Sequence, residues 1–222
     1  MEIIEKAPAK INLGLDVLGK RADGYHELEM VMSSVDLADR LIMEELEEDK
    51  IIIETNKAFL PIDKRNNVYQ AASIVKKRYG INKGILIRIT KNIPVAAGLG
   101  GGSTDCAAAL RGMDRLWQLG LTMPELIDIG MEVGTDVPYC IYGTTAFISG
   151  KGEKVTPLRP MPQCWVVLVK PRLSVSTGKI FQEVDLDQLH HPDIQELSDA
   201  ILAEDYQRMI AAMGNSLESI TI

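Results

Sequence analysis

The sequence predicts an α+β fold on three observations. Strand-like stretches crowd the first quarter of the chain, helical stretches dominate from residue 67 onward, and no steady strand–helix–strand rhythm links them. Size and composition agree with a folded chain. The 222 residues (24.5 kDa) suit one large domain, or one domain with part of a second. A content of 46% hydrophobic and 25% charged residues excludes a disordered tail, a collagen and a coiled coil.

Taken in order, Ile3–Ala7, Ile11–Leu18, Leu28–Leu37, Leu41–Leu46 and Ile51–Thr55 are strand-like. Their imperfect alternation suits a sheet with one buried face. Asn67 opens a helix with a side chain able to cap it, and Gln70 stands in the capping-box position. Val68, Ala71, Ala72, Val75 and Tyr79 form its apolar stripe, and Gly80 stops it. Ile85–Thr90 is a strand. Ser103-Thr104-Asp105 then leads a helix to about Trp117. Thr122-Met123-Pro124-Glu125 is a second capping box, with proline where its missing N–H costs little, and Gly134 ends that helix. Ala146–Ser149 and Cys164–Val169 are expected strands, with Pro157–Pro162 between them as a linker or domain boundary. Helices are expected around Pro192–Leu202 and Glu204–Met213.

The net charge of −7 argues against a general nucleic-acid binder, which needs a basic face. The apolar runs are far short of the ~20 residues of a membrane span. The N-terminus Met1–Lys6 lacks the basic and apolar regions of a signal peptide. Cys106, Cys140 and Cys164 are odd in number and widely spaced, so buried cytosolic thiols are expected rather than a zinc site or disulfides.

The strongest chemical signal is the run Pro94–Asp105. Four glycines in five positions, Gly98 to Gly102, let backbone N–H groups approach an anion, and the following helix aims its positive end at the same place. No lysine stands where a Walker loop requires one, and Ser103 occupies the third glycine position of a dinucleotide fingerprint. The run is therefore a phosphate loop of another kind, with a packing turn as the bland alternative. Three weaker segments accompany it. Read alone, Lys10 in Lys6–Leu15 is a solvated edge lysine, Asp136 in Gly134–Pro138 is a turn former or cap, and His26 in Gly24–Glu27 is a structural histidine.

Together these segments resemble the GHMP family of small-molecule kinases. Pro94–Ser103 resembles the family's central ATP motif, Lys6–Leu13 its N-terminal motif, and Gly134–Pro138 the segment bearing the catalytic aspartate. Lys20–Leu28 is similar to the signature of one subgroup, distinct from the mevalonate, homoserine and galactose kinases. Val175–Phe181 and Gly214–Glu218 resemble later segments of that subgroup.

The resemblance implies transfer of the ATP γ-phosphate to the 2-hydroxyl of 4-diphosphocytidyl-2-C-methyl-D-erythritol, a step of the non-mevalonate isoprenoid pathway. It implies an ATP-binding domain over residues 1–156, like a domain of ribosomal protein S5, and a second α+β domain from 157 to 222. Lys10 and Asp136 take the catalytic roles. Pro94, Gly98, Leu99, Gly100, Gly101, Gly102, Ser103 and Thr104 bind ATP, with Asn67, Val68 and Lys91 flanking the adenine. Asn12, Tyr25, His26, Thr177 and Phe181 bind the alcohol, Tyr25 and Phe181 by stacking on the base; on composition alone Phe181 is a helix core residue. Mg2+ accompanies ATP, with Ser103 as a candidate ligand. The partners are small molecules, not nucleic acid or membrane, and the location is the cytoplasm. Family members carry a third glycine-rich motif that nothing after Gly178 matches, so the second domain is expected to be incomplete and the native chain to continue. Another alcohol for the same kinase chemistry, or a nucleotide-binding module without catalysis, are the alternatives. A dehydrogenase is more distant, because no acidic residue closes a strand about 20 residues past the loop.

Overall fold

The computed structural model describes residues 2–171 and 177–221. Two compact units divide it. Among the described residues, 2–9, 36–95 and 100–141 form the first, and 10–35, 96–99, 142–171 and 177–221 the second. Two long strands, β1 (Glu2–Lys20) and β2 (His26–Leu46), contribute to both. The sequence suggests four shorter strands there. The Pro8-Ala9-Lys10 and Ala38-Asp39-Arg40 segments stay extended, although they interrupt the apolar alternation.

In the first unit, β3 (Ile51–Thr55) pairs in parallel with the strand that follows the first helix. That helix, α1 (Asn67–Tyr79), begins one residue earlier than a cap at Asn67 requires. Asn66 is the cap, its side chain accepting from Val68 N at 2.9 Å. Gln70 donates to Lys64 O instead of closing a capping box. The strand β4 (Gly84–Thr90) runs antiparallel to the distal half of β2, from Arg40 opposite Thr90 to Leu46 opposite Gly84. Helix α2 (Gly101–Trp117) starts at the glycines, ahead of the expected Ser103. It buries an unbroken run from Cys106 to Leu110. Helix α3 (Met123–Val133) carries the expected capping box of Thr122 and Glu125, and α4 (Val137–Tyr142) follows Gly134. Small residues such as Ala71, Ala72 and Ala107–Ala109 bring α1 and α2 close together.

In the second unit, β5 (Ala146–Gly150) pairs antiparallel with the proximal half of β2 and with β6 (Lys154–Pro157). The described chain resumes at α5 (Thr177–Gln182), followed by a 3-10 turn at Leu186–Gln188, α6 (Ile194–Leu202), α7 (Tyr206–Ala212), β7 (Gly214–Asn215) and α8 (Glu218–Thr221). The last strand lies parallel to β1, with Gly14 opposite Gly214. Leu13, Val31, Ile194, Leu197, Ala200, Ile201 and Met209 form the core. Gly14 lets α6 sit directly on β1, since a Cβ there would be 2.6 Å from Leu197 Cδ2.

Three expectations change here. The stretch Pro157–Pro162 is not a loose linker. Leu158 and Met161 pack on the core, and their N–H groups donate to Thr145 O at 2.9 Å and Thr145 Oγ1 at 3.1 Å. Cys164–Val169 is not a strand. Among the described residues no neighbour pairs with it, and the exposure of Trp165 (100%), Val167 (86%) and Val169 (87%) reflects that. Cys106 and Cys140 are buried as expected, but Cys164 is exposed.

Leu197 is fully buried at the centre of the second core. Leu197→Ala is expected to lower unfolding free energy by about 2–5 kcal/mol. Urea denaturation checks this, and a loss below about 1 kcal/mol contradicts the packing described.

Candidate phosphate and nucleoside sites

The glycine loop has its own backbone signature. Ala96, Gly98 and Gly100 have φ values of 54°, 71° and 67°, in the left-handed region that favours glycine. Gly100 occupies the N-cap position of α2, and no side chain caps that helix. The N–H groups of its first turn thus remain for an anion, reinforced by the helix dipole. Gly98 and Gly102 are exposed, so backbone rather than side chain meets the solvent. Lys10 N donates to Leu99 O at 3.0 Å, tying the loop to β1. Thr104 is buried, and its hydroxyl donates to Pro8 O at 2.8 Å.

Gly101 owes its residue type to close approach rather than to its backbone angles. A Cβ there would lie 3.2 Å from Lys91 Nζ and 3.3 Å from Ile93 Cγ2. Lys91 is buried, and its ammonium meets Asp39, Asp105 Oδ2 at 2.6 Å and Gly101 O at 3.3 Å. The lysine expected beside adenine therefore has its three protons committed inside the protein. Burial, partly opposed by Lys91, pushes the Asp105 carboxyl up to about 7, with Asp39 adding to the rise. Asp105 Oδ1 is buried with no hydrogen-bond partner.

Asn67 is half-buried beside the same helix start, its Nδ2 3.2 Å from where a Cβ on Gly102 would stand. Val68 is fully buried, so its side chain belongs to the core. Pro94 is exposed, while Leu99 and Ser103 are half-buried.

Lys10 departs from the solvated-edge expectation. It is 6% exposed, and its ammonium donates to Asn12 Oδ1 at 3.1 Å. Asp136 is half-buried just before α4, where its carbonyl accepts from Cys140 N at 3.2 Å. Its carboxylate is thus carried at a helix start. Lys10 lies in the second compact unit and Asp136 in the first.

The expected nucleoside residues assemble in part. The rings of His26 and Phe181 stack at 5.3 Å between centroids and 29° between planes. Phe181 is accordingly half-buried rather than a core residue. Tyr25 is 49% exposed, and Lys151 Nζ lies 4.7 Å from its ring centroid, a cation–π contact the sequence did not announce. Burial, then the nearby charge of Lys20, hold His26 below its ordinary 6.5. Its imidazole is therefore neutral at pH 7, with one donor and one acceptor. Thr177 opens α5, but its side chain lies outside the described residues, as do Val175 and Ser176.

Among the described residues, no group of three acidic, histidine or cysteine side chains could hold a metal ion. Asp105, the nearest acidic residue to the loop in sequence, is bonded to Lys91. A cation at the loop would therefore draw its ligands chiefly from phosphate oxygens and water, with the half-buried Ser103 as the chain's candidate donor. No helix of the described chain is long and apolar enough to cross a membrane.

Comparison with known proteins bears directly on this arrangement. The pattern for the GHMP kinase N-terminal domain matches residues 66–144, which include the glycine loop and Asp136. The 4-diphosphocytidyl-2-C-methyl-D-erythritol kinase of Enterococcus faecalis is 63% identical over all 222 residues, which cover 78% of that relative. The chain belongs to the GHMP kinase family. The Bacillus subtilis kinase of the same name is 51% identical over the whole chain, which spans 77% of its length. A crystal structure of 4-(cytidine 5'-diphospho)-2C-methyl-D-erythritol kinase superposes with a TM-score of 0.75 at 30% identity, covering 99% of this chain and 76% of that one. The homoserine kinase of Cytophaga hutchinsonii matches in fold, with a TM-score of 0.72 at 20% identity over 96% of this chain and 71% of its own. As a GHMP kinase the chain is a small-molecule phosphotransferase whose phosphate donor is ATP.

Gly101→Val is expected to push Lys91 from its seat and weaken ATP more than any second ligand; equal weakening of both by calorimetry counts against the loop's role. His26 is expected to titrate below 6.5, with its midpoint rising in Lys20→Ala. Histidine ring NMR checks this, and a midpoint at or above 6.5 contradicts it.

Proposed function

We infer that this chain transfers the γ-phosphate of ATP to the 2-hydroxyl of 4-diphosphocytidyl-2-C-methyl-D-erythritol. The observation that carries this reading is identity of 63% along the entire chain with a kinase of that name. The stacked His26–Phe181 pair supports it, since an aromatic face beside a neutral imidazole suits a cytosine base and its polar edge. Tyr25 adds a second, exposed aromatic face, and Asn12 and Thr177 complete the proposed alcohol-binding set.

The backbone N–H groups of Gly98 to Ser103 hold the triphosphate. Asn67 sits on the adenine side, with the fully buried Val68 behind it in the core. Asp136 receives the hydroxyl proton, and Lys10 offsets charge on the transferring group. Phosphoryl transfer is largely dissociative, so positioning matters more than the strength of the base. Mg2+, when bound with the nucleotide, neutralises phosphate charge, and Ser103 would hold it. The ATP-binding domain is read as residues 1–156, with the family match at 66–144 inside it, and the second domain as starting at 157. The reaction belongs to the non-mevalonate isoprenoid pathway in the cytoplasm.

The direct test is ADP release from ATP with and without the diphosphocytidyl alcohol, with homoserine and mevalonate as controls. Release driven by either control alone refutes the substrate assignment. Asp136→Asn is expected to lower turnover by about 10²–10⁴-fold while ATP binding persists. A variant within about tenfold of the unsubstituted chain removes Asp136 from the base role.

A further inference from the structure

We infer that Lys91, with Asp39 and Asp105, is a positioning residue for the triphosphate that acts through the glycine loop; this rests on the kinase reading above. The loop has few side chains to hold its shape, so its aim depends on its two ends. The incoming end is immobilised from both sides. Lys91 N donates to Asn56 Oδ1 at 2.9 Å, and Asn56 Nδ2 donates to Lys91 O at 3.4 Å. Asp39 Oδ1 then accepts from the next two N–H groups, Asn92 at 2.5 Å and Ile93 at 2.9 Å. The outgoing end is the first turn of α2. The Lys91 ammonium joins the two, reaching Gly101 O at 3.3 Å and Asp105 Oδ2 at 2.6 Å. One buried side chain therefore fixes the span across which the phosphate-binding segment must arch.

Stability alone does not account for this cluster. Buried ion pairs are often no better than well-packed apolar residues, because both charges lose their hydration. Here one ammonium serves two carboxylates, and Asp105 Oδ1 has no partner at all, an uncompensated desolvation cost. Direct contact with the nucleotide does not account for it either, since Lys91 is 5% exposed and its donors are taken. What the cluster does supply is a directional, short link between a strand end and a helix start, which apolar packing cannot give.

The test compares Asp105→Ala and Asp105→Asn with the unsubstituted chain. It reads ATP and alcohol affinity by calorimetry, amide exchange at 98–102, and melting temperature. Losing a charge-assisted bond is expected to weaken ATP about tenfold in Asp105→Ala and to speed exchange in the loop, with alcohol affinity held within about twofold. Asp105→Asn, whose side-chain oxygen can still accept from Lys91, is expected to recover ATP affinity to within about threefold. Should Asp105→Ala fail to fold, Asp105→Ser, too short to reach Lys91, carries the same expectations. Unchanged ATP affinity in the folded variant, equal weakening of both ligands, or an Asn variant as weak as the Ala variant would each overturn the inference. An unsubstituted chain that binds no ATP overturns the kinase reading first and this inference with it.

Discussion

The contact on which the first unit depends is the buried ammonium of Lys91 between Asp39 and Asp105. It lies where β4 has ended and α2 has not begun, a region with no sheet ladder and no helical ladder to define the backbone. The glycines that let N–H groups converge on a phosphate also deprive the segment of stiffness. A cross-link of charged groups placed outside the loop resolves that conflict. The recognition surface stays bare while its supports are rigid.

The nucleoside residues follow a different logic. Tyr25 hangs on the turn between β1 and β2, held by Arg21 N donating to Tyr25 O at 2.8 Å and by Tyr25 N donating to Asp23 Oδ1 at 3.2 Å. Arg21 also pairs with Glu27 across the turn. The turn is therefore braced although it lies near the surface. Half-exposed aromatics on a braced turn suit a flat ligand that must enter and leave, in contrast to the backbone cradle for phosphate.

The glycine loop, the capping box of α3 and the helices near the C-terminus were legible because each rests on local chemistry written in consecutive residues. The Lys91 cluster was not, since its members come from β2, the end of β4 and α2, and only the fold brings them together. A hint existed in Asp39, a carboxylate that breaks an apolar strand pattern. It reads most simply as a gap between strands, whereas in the fold it is buried and bonded to two backbone N–H groups. Lys10 shows the same limit: local sequence cannot tell a surface lysine from one buried against Asn12. The stretch Cys164–Val169 failed in the opposite sense. Its residues favour a strand, but strand formation requires a neighbour, which propensity does not report.

The pairing of β1 with β7 has a consequence in time. Asp16 is buried, with Ser216 Oγ donating to it and His191 Nδ1 2.7 Å away, and the serine lies 200 residues further along the chain. At about 5–20 residues per second of synthesis, the middle of β1 waits on the order of tens of seconds for its partner to emerge. Throughout that interval a carboxylate and the apolar residues around it face solvent unpaired. The β1–β7 pairing is therefore a late closure within the second unit, joining segments whose synthesis is separated by 200 residues.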